Sequence, residues 1–142
     1  MNFRGARSLG MVAVACGVLS ACTSLPQTTR TAVIHDITIT DSVNNDNLVV
    51  QPGDEIRWVN LRKDTARVDI PNLVGEDLVC RRGFSNWMGS VRETAELDSN
   101  ETASLCFKKP AIINYNVRAE TALGGGMKIL PGTVRIDNGM PR

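Results

Sequence analysis

Apolar residues recur at every second position in several short stretches of this chain, a period that fits a half-buried strand and not a helix. In "VIHDITIT", Ile37 and Ile39 share one face and Thr38 and Thr40 the other. In "EIRWVN", Ile56 and Trp58 oppose Glu55, Arg57 and Val59, while "ARVDI" aligns Val68 with Ile70 and "GTVRI" aligns Val134 with Ile136. "NLVV", "ETASLCF" and "AIINYNV" read as further strands. Turn chemistry separates them: the Asn/Asp-rich "DSVNNDN", Pro52-Gly53-Asp54, Lys108-Lys109-Pro110 and the glycines at 124–126. About seven or eight short strands without long amphipathic helices predict a single all-β sandwich. Trp58, Phe107 and Tyr115 are its expected large core members. Between Pro71 and Asn100 the pattern weakens. "EDLVCRRGFSNWM" has no clean period, and "RETAELD" suits a short helix or a solvated loop.

The N-terminus carries a different signal. Arg4 and Arg7 precede an apolar run from Leu9 to Leu19 that is too short for a permanent membrane span. Its small-residue ending is that of a signal peptide. Leu19, Ser20, Ala21 and Cys22 resemble the lipobox of bacterial lipoproteins. That resemblance implies cleavage before Cys22, acylation of its thiol and of the new amino terminus, and stable anchoring by several acyl chains. Thr23 is not the acidic residue that some proteobacterial sorting rules associate with the inner membrane, so the periplasmic side of the outer membrane is expected. The organisation is then a signal peptide at 1–21, the lipidated cysteine and a polar tether at 22–32, a sandwich at 33–137 and a tail at 138–142. Removing 21 of 142 residues leaves 121, and the 16 basic residues become 14 against 15 acidic, a net charge of −1. So balanced a surface gives no reason to expect nucleic acid as a partner.

Of four cysteines, Cys16 leaves with the signal and Cys22 takes lipid. Cys80 and Cys106 remain as an even pair in an oxidising compartment. They form a disulfide closing a loop of 26 residues, or stay reduced as soft metal ligands.

The segments "VVQPGDEIRWVN", "LCFKKPAIINYNV" and "LPGTVRI" resemble a cupredoxin domain over about residues 33–137. The first is the more specific; in the second, Ala111 stands where glycine is usual. The resemblance implies two face-to-face sheets joined in Greek-key fashion. It also implies places for copper ligands, and those places hold the wrong residues. Ala66 and Arg67 stand where the first histidine would be, Val117 for the cysteine, Glu120 for the second histidine and Leu130 near the axial position. Type 1 copper needs two imidazoles and a thiolate. The mature chain has one histidine, His35, before the first strand, so no metal or other cofactor is expected at that site.

Three sharper readings follow from single residues. Arg67 and Glu120 are expected to pair across the lost ligand end and close it. Arg81, Arg82, Phe84 and Trp87, with Met88 beside them, form the densest cationic and apolar cluster and are the expected contact for an envelope protein partner. His35 reads as an edge histidine. Nothing places a nucleophile beside a base, so no enzyme is expected. The function expected is a membrane-anchored, non-copper binding or assembly module. The alternative is a periplasmic copper-handling protein with a non-standard set drawn from Cys80, Cys106, His35, Met88 and Met127.

Overall fold

The computed structural model describes residues 30–31, 33–121 and 124–139, so the expected signal peptide, Cys22 and most of the tether lie outside the described residues. The described chain forms nine strands: β1 (Ile34–Ile39), β2 (Asn47–Val50), β3 (Glu55–Asn60), β4 (Ala66–Asp69), β5 (Leu78–Arg82), β6 (Thr94–Leu97), β7 (Thr102–Phe107), β8 (Ala111–Glu120) and β9 (Met127–Ile136). They make two sheets, of order β1-β3-β7-β5 and β2-β9-β8-β4-β6. Successive strands cross from one sheet to the other until the β8–β9 hairpin, and β1–β3 and β2–β9 pair in parallel. These are the crossover connections of a Greek-key sandwich, the architecture expected from the sequence.

Alternation explains what each strand buries. Ile37 and Ile39 of β1, Ile56 and Trp58 of β3, Ala66 and Val68 of β4, and Val134 and Ile136 of β9 all point inward. "RETAELD" resolves as a strand, with Ala95 and Leu97 buried and Glu96 exposed. Its Glu and Ala favour a helix in isolation, but pairing with β4 overrides that weak preference.

Trp58 is fully buried and holds the two sheets together through aromatic edges. Its ring meets Tyr115 of β8 at 5.4 Å and Phe84, from the segment after β5, at 5.7 Å, both T-shaped. Tyr115 lies across its register partner Gly132, where any Cβ would run into the phenol ring. Burial pushes the Tyr115 hydroxyl up to about 12, the charge of Asp46 adding to the effect, so it stays protonated.

The free edge of β1 is blunted by its own following loop. Asn44 N–H donates to the Thr38 carbonyl at 3.1 Å, and the Asn45 amide to the Asp36 carbonyl at 2.9 Å. An edge satisfied this way offers no template to another strand. On the opposite side of the same sheet, Cys80 of β5 faces Cys106 of β7, and the two are joined as a disulfide with Cα atoms 4.9 Å apart. The thiolates that the copper-handling alternative required are therefore not free.

Candidate functional site

The strand-connecting loops 40–46, 61–65 and 98–101 and the β8 and β9 ends at Glu120 and Met127 gather at the end of the sandwich where the resemblance places metal ligands. Asn60, the last residue of β3, is fully buried there. Its amide donates to the carbonyls of Asp64 at 2.9 Å and Leu97 at 2.8 Å, and its Oδ1 accepts the Arg62 N–H at 3.0 Å. That curls the loop back and sends the Arg62 side chain into the end of the sandwich. The guanidinium donates to the Thr40 carbonyl at 3.0 Å, to the Asp41 carboxylate at 2.9 Å and to the Glu120 carbonyl. One cation thus ties its own loop to the 40–46 loop and to the end of β8, and its side chain is only 8% exposed.

The closure expected of Arg67 and Glu120 belongs instead to Arg62. Arg67 pairs with Glu96 of β6, its register partner, and both side chains are about half exposed. Glu120 contributes its backbone carbonyl. The four positions do not converge because strand alternation splits them. Arg67 and Glu120 point outward from the sheet, whereas Val117 is buried against Val68 and Leu130 packs half-buried beside it. Among the described residues, no three His, Cys, Asp or Glu side chains come together as a metal site.

Arg62→Ala should lower stability by about 2 kcal/mol, since the loop carbonyls lose a buried, charged donor, and the melting temperature by about 8 °C. Arg67→Ala should change stability by less than about 0.5 kcal/mol, as for an exposed pair. Thermal melts of the two variants decide between the two closures.

The outer face of the five-stranded sheet carries a compensated ladder. Asp69 accepts from Arg118 and, at 2.8 Å, from the Thr94 hydroxyl. Burial opposes ionisation of Asp69, but these bonds and the guanidinium charges hold it below the usual carboxylate range. The Asp69, Arg118 and Thr94 groups of this face are thus bound to one another.

A second buried carboxylate fixes the opposite end. Asp54 accepts from Thr31, from the Gln51 N–H at 3.0 Å and from His35 Nε2 at 2.9 Å. Thr31 N–H also donates to the Gly53 carbonyl at 3.1 Å, so the folded domain begins before residue 33. Burial works against the charge on Asp54, yet the three donors hold its carboxyl below the ordinary range. A carboxyl depressed on folding contributes stability above its unfolded value of 3.8, lost as pH falls through the folded value. Asp54→Asn should therefore lower the melting temperature at pH 7 and narrow its gap to the parent below about pH 4. A gap unchanged across that range would contradict this.

The cluster expected to contact a partner is divided. Phe84 is fully buried against Trp58 and belongs to the core, which corrects its expected place in the contact. Residues 85–91 form a tight hairpin closed by the Ser85–Val91 bridge. Asn86 organises it: its side-chain oxygen accepts the N–H groups of Met88 at 3.0 Å and Ser90 at 2.8 Å. Gly89, at φ +81, makes the return that a side chain would strain. At the tip Trp87 is 92% exposed and Met88 67%. Arg81, Arg82 and Arg92 flank it, exposed and without an ion-pair partner among the described residues.

Among solved structures the chain is similar to variants of amicyanin. A methionine-to-leucine variant in its oxidised form matches with 16% identity over 75% of this chain and 82% of that one, at a TM-score of 0.49. A reduced tryptophan-to-tyrosine variant matches with 12% identity over 80% and 87%, at 0.48. A copper(I) form with glutamine in place of a methionine matches with 14% identity over 73% and 82%, also at 0.48. No protein-family model and no curated protein matches the chain. The fold class rests on the two sheets themselves.

A recess of about 380 Å³ opens between the 70–74 turn and β8, lined by Ile70, Leu73, Val74, Phe107 and Ile112, with the Asp77–Lys109 pair at 3.3 Å on its rim. Neither this recess nor the Arg62 staple is legible in the sequence. Local charge patterns point to neither, because both depend on which loops the crossovers bring together. The hairpin had a visible signal, an Asn three residues before a Gly inside an aromatic run.

Proposed function

We propose that this chain is a lipid-anchored envelope protein, held at the outer membrane on its periplasmic side, whose cupredoxin-like domain is a non-copper binding or assembly module. The lipobox at Leu19–Cys22 supports the anchor. The Arg62 staple and the divergent positions Arg67, Val117, Glu120 and Leu130 support a role without type 1 copper. Binding is favoured over catalysis because the His35 ring meets the Asp54 carboxylate through Nε2 and, among the described residues, hydrogen-bonds to no hydroxyl nucleophile.

The observation that carries the reading is the Trp87 hairpin. A large aromatic held almost entirely in solvent on a backbone braced by Asn86 is a preorganised contact, because little remains to be ordered on binding. Metabolic labelling with palmitate should mark the full chain, and Cys22→Ser should abolish the label. A photoreactive phenylalanine analogue replacing Trp87 should form an adduct in intact cells, whereas the same analogue replacing Ile129, exposed on β9, should not. No adduct from position 87, with labelling intact, removes the contact reading.

A further inference from the structure

The hairpin's chemistry and its place in the fold specify what it touches. We infer that Trp87 and Met88 enter the interfacial layer of the bilayer that carries the anchor, with Arg81, Arg82 and Arg92 on anionic phospholipid headgroups. This rests on the anchored-module reading and names the partner of its contact surface.

Three observations carry it. The first is composition against size. Two apolar side chains at a two-residue tip are far below the roughly 20–30 residues a side of a stable protein interface. A tryptophan at a membrane interface needs no complementary surface, only a boundary between water and acyl chains. The second is charge. Arg81, Arg82 and Arg92 lack acidic partners among the described residues, although elsewhere Arg57, Arg67 and Arg118 each face an aspartate or glutamate. Three uncompensated cations around an apolar tip match an anionic surface, at about 1 kcal/mol per cation near it.

The third is position. The hairpin's return leg rests on the 75–77 turn: a Cβ at Gly75 would lie 2.8 Å from Val91. That turn is bonded onward through Lys108 N–H to the Asp77 carbonyl, and Gly53 N–H to the Phe107 carbonyl. Gly53 in turn accepts from Thr31, where the tether enters the domain. The hairpin's return leg at Val91 thus meets a turn that is bonded to the tether's end of the sandwich, while the Arg62 end lies at the far end of β3. Between Cys22 and Arg30 the chain can span at most about 28 Å. So short a tether keeps the hairpin at high effective concentration over its own membrane, where a weak contact suffices.

The two tryptophans make this testable in the full chain, since Trp58 is buried and Trp87 is in water. The anchored protein is reconstituted into vesicles of phosphatidylcholine with or without phosphatidylglycerol, using brominated lipid as quencher within the bilayer and acrylamide outside. With phosphatidylglycerol, Trp87 emission should shift to the blue, become quenched by brominated lipid and lose its acrylamide quenching. Arg81→Gln, Arg82→Gln and Arg92→Gln together should shift the ratio of inserted to exposed hairpin about 100-fold towards exposed. Salt should act in the same direction. The Trp87→Phe variant supplies the Trp58 baseline.

If Trp87 stays open to acrylamide on anionic vesicles, the inference fails. Should the photoreactive residue at 87 then give a protein adduct in cells, the contact surface stands and its partner is a protein. With no adduct to lipid or protein, the contact reading fails as well.

Discussion

Phe84→Ala should lower the stability of this domain by about 4 kcal/mol, whereas Trp87→Ala, three residues away, should change it by less than about 0.5 kcal/mol. Phe84 is fully buried with its ring edge-on to Trp58, so truncation opens a cavity in the one aromatic contact that ties the segment after β5 to β3. Neighbours cannot collapse to fill it. Gly83, at φ +82, presses the backbone against Ala103 and Ala95, and Arg92 N–H donates to the Phe84 carbonyl, so main chain is fixed on both sides. The melting temperature should fall by about 16 °C. Trp87 contributes nothing comparable, because it is nearly all in water when folded and unfolded alike. Urea titrations of the two variants read the contrast directly. Equal destabilisation would mean that the hairpin is part of the core rather than a contact. The same pair separates stability from the proposed binding: Trp87→Ala should remove the proposed contact and keep the fold, while Phe84→Ala should lose the fold first.

That contrast shows where sequence reading stops. Trp58 and Tyr115 were legible as core because each sits in a run whose period has one apolar face. Phe84 and Trp87 lie in a run with no period, where composition alone says only that something large is present. Their fates are decided by Asn86, which turns the chain, and by Ala103 and Ala95, small enough to admit Gly83 and Phe84 beneath the sheet edges. The lost ligand end was legible as a loss and as a closed end, but not as to which cation closes it. Ligand count excluded type 1 copper, yet the closing cation is Arg62 and not Arg67, because alternation in β4 turns residue 67 away from the interior. The Asn60 latch aims Arg62, and it spans β3 and β6, 37 residues apart. No local pattern carries that information.

Reduction of Cys80–Cys106 should cost about 3.5 kcal/mol, the chain-entropy value for a 26-residue loop. That is about 14 °C in melting temperature. The bond is placed where β5 most needs it. This strand lies at the sheet edge, pairs only with β7 and shifts register between Leu78 and Cys80. Its ladder is therefore weak, and the disulfide fixes the register that the bulge would otherwise let slip. Directly beyond it come Arg81, Arg82, Gly83 and Phe84, and then the Trp87 hairpin. A midpoint shift in urea between oxidised and reduced protein measures the stability. Trp87 reports the local effect, since loosening β5 frees the hairpin base before the Asp54 end, which β1 and β3 hold independently. Under reductant below the urea transition, the vesicle-bound Trp87 signal should weaken while Trp58 emission remains that of a buried ring. Global unfolding with both tryptophans moving together would show instead that the bond secures the whole sandwich and not its contact edge.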